Sequence, residues 1–429
     1  MLDGPDRPDF GKALRQLRPK ESPQGLLFQS ESPVGSLGQQ LAFLKSRSPR
    51  RCVSEAVAPD GVEEITPFGR HLAVRRIYGP EEYHGNVRLG RFSCADLERL
   101  SSLMKQKAPI PHRDSIVFLD TETTGLHGGT GMVPFLVGLG YFNGDDFIVI
   151  QYFIRDFDEE PSMLLALGDI LQRFKLVVTY NGATFDLPLL EARFTLARLN
   201  SPFGDLEHLD LLPAARRLWR NGHGSCRLAA LENKIAGFLR GPDVPGAMIP
   251  RSYFEFLQGR GASTMNGVLK HNVHDIVSLA ALTVCAADRV VSEPARLDNP
   301  LDLFSLGRIV ENTAEWKRAL TFYEWALSGG LPDPIQAKAR ENLAVLCRRA
   351  GDHARSLALC RELMAGAVFS MIGYEGAAIY YERVAGDAVR GLEVVERALS
   401  RLSDTPENRR YRASLHARRE RLKQKAIVF

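Results

Sequence analysis

At 429 residues, the chain is long enough for two or three domains of the usual size of about 100–200 residues. Apolar residues make up 45% and charged residues 25%, which is typical of a globular protein. The longest uninterrupted apolar stretch, Met132 to Phe142, is far short of the ~18 residues that a membrane span needs. The six cysteines contain no Cys-x-x-Cys pair, which argues against a zinc ribbon. With acids at the first positions instead of an apolar signal core, we expect a cytoplasmic protein with no membrane association.

The net charge of +4 is unevenly distributed. Residues 1–51 carry nine Lys/Arg and five Asp/Glu, and residues 401–425 carry nine Lys/Arg and three Asp/Glu. Both ends are therefore basic, and the intervening chain is acidic. This distribution is compatible with a polyanionic partner such as nucleic acid, and equally with solvated tails that keep the protein soluble.

The first part of the chain has little apolar periodicity. Residues 1–60 are rich in proline and serine and are predicted to be a largely irregular, basic segment, with one short helix over residues 12–17. Residues 61–91 have a strand-like pattern, and residues 96–106 have a helical one.

From Ser115 onward, short apolar runs alternate with amphipathic segments. The runs predict strands at residues 115–119, 134–142, 147–154, 176–180 and 208–211. The amphipathic segments predict helices at residues 161–174, 186–199, 228–235 and 265–290. Three adjacent strands followed by this alternation predict an α/β domain over residues 61–295, in which a mixed sheet is flanked by helices.

The last third of the chain has helical periodicity throughout. Leu320, Leu357 and Leu392 occupy equivalent positions 37 and 35 residues apart, and Gly-Asp pairs at 351–352 and 386–387 stand at matching turns. A helical hairpin that recurs about every 34 residues is typical of tetratricopeptide repeats. We therefore predict an all-α repeat domain over residues 300–429 with a basic C-terminal helix. An irregular helical bundle is the alternative.

Two acids stand at the end of the first predicted core strand. Asp120 and Glu122 are two positions apart, so their side chains point to the same face of the strand. Crowded carboxylates repel each other unless a cation neutralises them, and an oxygen-rich site without thiols suits Mg²⁺ or Mn²⁺. The alternative is a pair of solvated acids at a strand end.

Two later stretches supply further polar side chains. Asp186 follows a predicted strand at the start of a helix, where an aspartate also serves as an N-cap. His271 and Asp275 lie four residues apart in a long helix and therefore share one face. The alternative for this second pair is a hydrogen bond on the protein surface.

In chain order, these motifs are Asp120-x-Glu-Thr-Thr-Gly, Asn181-x-x-x-Phe-Asp and a histidine four residues before Asp275. This order resembles the DEDD 3′–5′ exonuclease superfamily, whose members have an RNase H-like fold. Three details resemble one branch that has been predicted from sequence, the YprB type, whose members often carry helical repeats after the nuclease domain. They are the Gly-rich segment 125–131, the segment Val178–Gly182 and the segment Asp243–Gly246. The resemblance covers residues 60–290 well and residues 305–400 loosely.

The resemblance implies that Asp120, Glu122, Asp186 and Asp275 bind two Mg²⁺ or Mn²⁺ ions, with Asp120 bridging ions about 4 Å apart. It also implies that His271 orients or deprotonates the attacking water. The implied reaction is hydrolysis of phosphodiester bonds from the 3′ end of a single strand.

The chain departs from the superfamily pattern at the histidine. The His-type branch places its histidine five residues before the last aspartate, where this chain has Lys270. His271 takes the position at which the Tyr-type branch has its tyrosine. His274 would face about 100° away from Asp275 on the helix. Asp210, at another predicted strand end, matches a structural aspartate of the superfamily and is an alternative to Asp186.

Several alternatives remain open at this stage. The Gly-rich segment 125–131 is either a flexible loop over the site or a strand connection. The arginines of the C-terminal helix either bind phosphates or belong to a helix that caps the repeats. The whole chain is either a two-metal phosphodiesterase acting on DNA or RNA, or an inactive scaffold whose repeats bind a protein partner. The complete set of four carboxylates favours the enzyme.

Overall fold

The computed structural model describes residues 59–104, 111–125 and 131–427. The chain divides into two units, Met1–Ser48 and Pro49–Phe429, and all described residues belong to the second. The helix predicted over residues 12–17 and most of the Gly-rich segment 125–131 lie outside the described residues.

The described residues form two sheets. The strands are β1 (Val62–Thr66), β2 (Gly69–Tyr78), β3 (Tyr83–His84), β4 (Val87–Arg88), β5 (Ile116–Thr123), β6 (Pro134–Asn143), β7 (Asp146–Phe153), β8 (Leu176–Thr179) and β9 (Glu207–Asp210). Seven strands form the main sheet in the order β1-β2-β7-β6-β5-β8-β9, and β3 pairs with β4.

The main sheet is mixed. From β1 to β5 all neighbours are antiparallel, whereas β5 pairs with β8, and β8 with β9, in parallel. The carboxyl ends of β5, β8 and β9 therefore lie at the same edge of the sheet. Crevices outside the carboxyl ends of such strands are where open α/β sheets bind ligands.

Apolar sequence explains why the middle strands occupy the centre. The first four residues of β5, from Ile116 to Leu119, are at most 1% exposed. Strands buried on both faces read as continuous apolar runs. The β6–β7 hairpin turns at Gly144, whose φ of +61° favours a residue without a side chain.

Within the described residues, six α-helices accompany the sheet. They are α1 (Glu160–Leu171), α2 (Asp186–Leu196), α3 (Leu211–His223), α4 (Leu228–Leu231), α5 (Ile249–Leu257) and α6 (Ala262–Val291). The longest, α6, has 30 residues and packs against β5, β6 and β7. Its apolar residues face the sheet, which brings the polar residues of its middle turns close to the end of β5.

Two predicted helices differ from the structure. The sequence predicts one helix over residues 228–235. In the structure, the α-helical turns of α4 end at Leu231, and a π-helix follows over Glu232–Ala236. Gly237, with a φ of +68°, ends this π-helix. In the predicted helical segment 96–106, the described residues form a 3₁₀-helix at Leu97–Leu103. Buried Leu100 and Leu103 supplied the apolar spacing, which does not distinguish the two helix types over so few turns.

The C-terminal region is entirely helical within the described residues. Its helices are α7 (Pro300–Val310), α8 (Trp316–Ser328), α9 (Asp333–Arg349), α10 (His353–Ala365), α11 (Met371–Arg383), α12 (Ala388–Arg401) and α13 (Arg409–Ile427). The predicted fold class, a mixed sheet with flanking helices followed by an all-α region, is confirmed. No helix in the described part of the chain combines the length and apolarity of a membrane span.

The turns before α10 and α12 have the same construction. Gly351 and Gly386 adopt φ angles of +85° and +66°, and the aspartate that follows each glycine caps the next helix. Asp352 accepts a hydrogen bond from the Arg355 N–H, as Asp387 does from the Arg390 N–H. The tetratricopeptide assignment and the domain boundary near residue 300 stay proposals.

Candidate metal and active site

The site begins at the carboxyl end of β5. Asp120 and Glu122 alternate with Thr121 along the strand, so both carboxylates point to the face that α6 covers. Buried Asn272 of α6 donates a hydrogen bond of 2.9 Å from its Nδ2 to Asp120 Oδ2. This bond fixes one carboxylate oxygen of Asp120, and the other accepts no hydrogen bond from the described residues.

A buried chain of amides positions Asn272 in turn. Gln151 of β7 donates from Nε2 to Asn272 Oδ1 and to the Leu269 carbonyl, at 2.8 Å each. Asn272 also needs a glycine opposite it, because a Cβ atom on Gly138 would lie 2.1 Å from Asn272 Oδ1. Isolated glycine in a strand often marks such a close approach.

Asp186 reaches the site from the loop after β8. It is the first residue of α2, and its Oδ1 accepts a hydrogen bond from the Thr121 hydroxyl. The Asp186 side chain is not the helix cap that the sequence left open. Gly182 allows the loop to turn tightly, since a Cβ atom there would lie 2.3 Å from Thr179 Oγ1.

Asp210 holds this loop without entering the acidic cluster. Its Oδ1 accepts hydrogen bonds from the backbone N–H groups of Asn181 at 2.8 Å and Leu212 at 3.0 Å. Its Oδ2 accepts one from the Ala183 N–H at 3.3 Å. Asp210 thus caps α3 and anchors the Asp186 loop, which supports a structural role over a substitute for Asp186.

The middle of α6 contributes His271 and Asp275. Ligand atoms of Glu122, His271 and Asp275 all lie within 4.8 Å of one another. His271 Nε2 is 3.5 Å from Asp275 Oδ2 and 3.9 Å from Glu122 Oε1. On the other side of the ring, Nδ1 donates to Asp243 Oδ2 at 2.8 Å, so Asp243 orients the imidazole towards the acids.

Arg240 is a cation that the sequence did not indicate. It binds fully buried Glu232 through two nitrogens, with Nε 2.6 Å from Oε2. It also donates to Asp243 Oδ2 at 3.0 Å and to Asp275 Oδ1. Its positive charge partly compensates Glu122 and Asp275, and its hydrogen bonds link Asp275 to Glu232 of the π-helix.

Burial, together with neighbouring negative charges, raises the pKa values of the four acids. Burial, followed by the charges of Asp275, Glu122 and Asp186, holds the pKa of Asp120 well above its ordinary range. Burial and the charges of Asp275 and Asp186 do the same for Glu122. Burial raises the pKa of Asp186 to about 6, although its bond from Thr121 acts in the opposite direction. The pKa of Asp275 is also raised by burial, against the effects of Arg240 and His271.

These shifts show what kind of ligand the donors fit. Ionised carboxylates that share a buried site repel one another, and a bound divalent ion would remove this repulsion. The donor set contains carboxylate oxygens and no thiol, which suits Mg²⁺ or Mn²⁺. The ligand atoms of Glu122 and Asp275 lie close to that of His271, and Asp120 and Asp186 are the other two carboxylates beside them.

The structure separates the neighbouring sequence candidates. Lys270 is exposed, so the position of the His-type histidine faces away from the site. His274 packs edge-on against Phe238 and has no hydrogen-bond partner for its buried Nδ1 among the described residues. His271 is the histidine of α6 that lies among the acids.

Sequence reasoning missed five residues that build the site: Gly138, Gln151, Glu232, Arg240 and Asn272. Gly138 inside an apolar strand was a usable signal. Asn272 beside His271 was another, because the sequence had already placed that helix turn at the site. Nothing local marked Gln151, Glu232 or Arg240, whose partners lie elsewhere in the chain. Asp243 enters the sequence analysis only as part of a motif that resembles the family.

Comparison with known proteins agrees with this architecture. A sequence model of the RNase H superfamily matches residues 117–287. This range begins in β5, ends in α6 and includes all four acids. Residues 117–287 are therefore similar in sequence to this superfamily. The members of this superfamily are generally nucleases that use divalent metals.

The chain is also similar to individual proteins. It is 29% identical over 363 residues to the uncharacterized protein YprB of Bacillus subtilis, covering 80% of this chain and 84% of that protein. A 54-residue stretch is 41% identical to DNA polymerase 1 of Aeropyrum pernix, covering 13% of this chain and 6% of the polymerase.

Among solved structures, a family B DNA polymerase from Pyrobaculum calidifontis matches with 15% identity and a TM-score of 0.35. The match covers 51% of this chain and 29% of the polymerase chain. The chain thus spans less than a third of the length of that polymerase.

Proposed function

We propose that the protein is a metal-dependent nuclease that removes nucleotides from a 3′ end by a two-metal mechanism. The observation that carries the proposal is the convergence of four carboxylates from β5, α2 and α6 at the carboxyl edge of the sheet. These acids are far apart in sequence, and each of them has a raised pKa that a bound cation would lower.

In this proposal, Asp120, Glu122, Asp186 and Asp275 would hold the ions. Bound divalent ions would supply Lewis acidity for activating a water and for stabilising the leaving oxygen of the phosphodiester. His271 directs Nε2 to the same place, because Asp243 holds its Nδ1. The histidine is thereby positioned to orient the attacking water and accept its proton.

The direction of degradation in this proposal rests on the resemblance of the motifs to those of 3′–5′ exonucleases. The substrate that we propose is a single-stranded 3′ end of either nucleic acid.

The test is degradation of 5′-labelled and 3′-labelled single strands, DNA and RNA, with Mg²⁺, Mn²⁺ or EDTA. Asp120→Asn is the test variant, because it keeps the shape of the side chain and removes its charge. We expect it to reduce the rate at least ~100-fold, since several kcal/mol of transition-state stabilisation depend on the ions. Asp169→Asn, at an exposed position of α1, is the matched control and should cleave like wild type.

A ladder of 5′-labelled products that shortens from the 3′ end and requires a divalent ion would support the proposal. Cleavage at internal positions would contradict the exonuclease direction but keep the nuclease. Intact strands with every metal would contradict both, and would favour the scaffold that binds a protein partner through its helical region.

A further inference from the structure

A cavity of about 460 Å³ opens beside the loop that carries Asp186. Tyr180 and Asn181 of that loop line one side, and Arg216, Arg220 and Arg227 line the other. None of the residues that we assign to the ions lines this cavity. It is therefore a separate feature next to the acidic cluster.

The three arginines of the cavity are exposed to solvent. Arg216 and Arg220 are exposed and lie one turn apart on α3, and Arg227 is exposed in the loop that follows. Within residues 59–104, 111–125 and 131–427, no acid forms an ion pair with any of them. Three unpaired guanidinium groups around one cavity create a positive site for anions.

The other arginine-rich element behaves differently. On α13, Arg418, Arg421 and Lys425 all pair with Glu382, at 2.9, 2.7 and 3.0 Å. These three positive charges of α13 are therefore paired with an acid of the same protein. The unpaired arginines of the cavity are better placed to bind an external polyanion.

The topology places the cavity in line with the acids. β5, β8 and β9 are consecutive parallel neighbours, so their carboxyl ends follow one another along the sheet edge. β5 carries the acids, β8 leads into Tyr180, and β9 leads into α3. Two strand spacings of about 4.8 Å separate β5 from β9. A chain that leaves the acidic cluster along this edge reaches the cavity.

Tyr180 adds an aromatic surface. Its hydroxyl donates to the Cys226 carbonyl, which fixes the ring at the wall of the cavity. The side chain is half-buried, so part of the ring faces the open space. An aromatic ring beside cations is the combination that binds single-stranded nucleic acid without reading its sequence.

We propose that this cavity binds the single strand on the 5′ side of the nucleotide at the acidic cluster. Arg216, Arg220 and Arg227 contact its phosphates, and Tyr180 stacks on a base. This inference rests on the proposed function, because it assigns the cavity to the substrate of that same site.

The test measures binding of a 5′-fluorescein oligothymidylate by anisotropy in EDTA, over a series of NaCl concentrations. Arg216→Gln/Arg220→Gln should weaken binding on the order of tenfold at low salt. It should also reduce the slope of log K against log salt by about 0.7 for each arginine removed. Arg409→Gln/Arg410→Gln removes the same charge from α13, where both arginines are exposed, and should bind like wild type.

Two further variants separate the contribution of arginine charge from that of stacking on Tyr180. Arg227→Gln lies outside α3, so it repeats the charge test without altering that helix. Tyr180→Leu should weaken binding between about five- and a hundredfold while leaving the salt slope unchanged, because stacking releases no counterions. Thermal unfolding of each variant checks that the protein is folded.

Equal losses in the two double variants would overturn the proposal, because binding would then follow net charge alone. Wild-type affinity in Arg216→Gln/Arg220→Gln would overturn it as well. Hydrolysis of bis(p-nitrophenyl) phosphate by wild type with Mn²⁺ tests the nuclease separately, since this ester is too small to need the cavity. If wild type does not hydrolyse this ester, and only the cavity variants lose affinity for the strand, the nuclease activity would be refuted. The binding of single strands by the cavity would still be supported.

Discussion

At the scale of single residues, the site depends on one missing side chain. Gly138 lets Asn272 approach β6, and Asn272 holds Asp120. Gly138→Ala should displace Asn272 and lower the free energy of unfolding by ~1–3 kcal/mol through overpacking. It should also weaken Mn²⁺ binding about tenfold, as loss of a group that positions a ligand does.

Gly140→Ala is the control for this prediction. It overpacks the same strand, since its Cβ atom would lie 2.4 Å from Ile276 Cγ2, but it does not touch Asn272. Urea unfolding and Mn²⁺ titration calorimetry measure the two effects. Equal losses of Mn²⁺ affinity in both variants would show that general strand distortion, not Asn272, is responsible.

Because the pKa of buried Asp186 is raised, we expect the stability of the folded protein to decrease as the pH rises. The pKa of Asp186 is about 6 in the folded protein against an ordinary 3.8, so the folded state holds its proton more tightly than the unfolded state. In EDTA, the free energy of unfolding should therefore be highest below pH 3.8 and decrease until about pH 6 for this group. The loss should be about 3 kcal/mol.

Urea unfolding of wild type and Asp186→Asn across this pH range tests the prediction. The variant cannot ionise at this position, so its stability should decrease less. Mg²⁺ should raise the stability of wild type more at high pH, where the carboxylates are ionised. A wild-type protein in EDTA whose stability instead increases with pH over this range would contradict the prediction.

At the scale of elements, Asp210 joins β9, α3 and the Asp186 loop. Asp210→Ala removes the cap of α3 and leaves the N–H groups of Asn181 and Ala183 without their acceptor. We expect the free energy of unfolding to fall by about 2–3 kcal/mol. The nuclease rate should fall with it, because the loop positions Asp186.

Asp352→Ala is the matched control, since Asp352 caps α10 in the helical region. It should cost about 1 kcal/mol and leave the nuclease rate unchanged. Chemical unfolding and degradation of a labelled strand measure both variants. A rate for Asp210→Ala equal to wild type would show that the loop positions Asp186 without this anchor.

At the scale of the whole molecule, the basic C-terminal helix is bound to its neighbours. Hydrogen bonds from Arg421 and Lys425 lower the pKa of Glu382 to about 2 against the effect of burial. Because the folded pKa is depressed, this stabilisation is present above pH 4.5 and is lost as the pH falls towards 2. The ion pairs support the view that α13 caps the helical array.

Glu382→Gln should therefore lower the free energy of unfolding at neutral pH by ~1–2 kcal/mol. The difference from wild type should decrease as the pH falls below 4.5. Glu420→Gln, on the exposed surface of α13, is the control and should change stability little. Urea unfolding of Glu382→Gln and Glu420→Gln at neutral and acidic pH measures this difference. Identical unfolding curves for the two variants would contradict the stabilising role of Glu382.

Much of this molecule could be predicted from the order of residues alone. Apolar runs and turn signals indicated the strands β5 to β9, and the 3.6-residue period indicated α6 and the helical region. These patterns are local, because burial on one or both faces of an element leaves a trace within the element itself. For the same reason, Asp120 and Glu122 could be placed on one face of β5, and His271 one turn from Asp275.

The partners of those acids could not be predicted in this way. Gln151 meets Asn272 across 121 positions of sequence, and Arg240 meets Asp275 across 35. The π-helix that presents Glu232 to Arg240 replaced an expected α-helix. Such contacts depend on how α6 lies across the sheet, and packing between distant segments has no period in the sequence. The sequence motifs were therefore sufficient to predict the acids of the site. The residues that orient and neutralise these acids could be identified only from the tertiary structure.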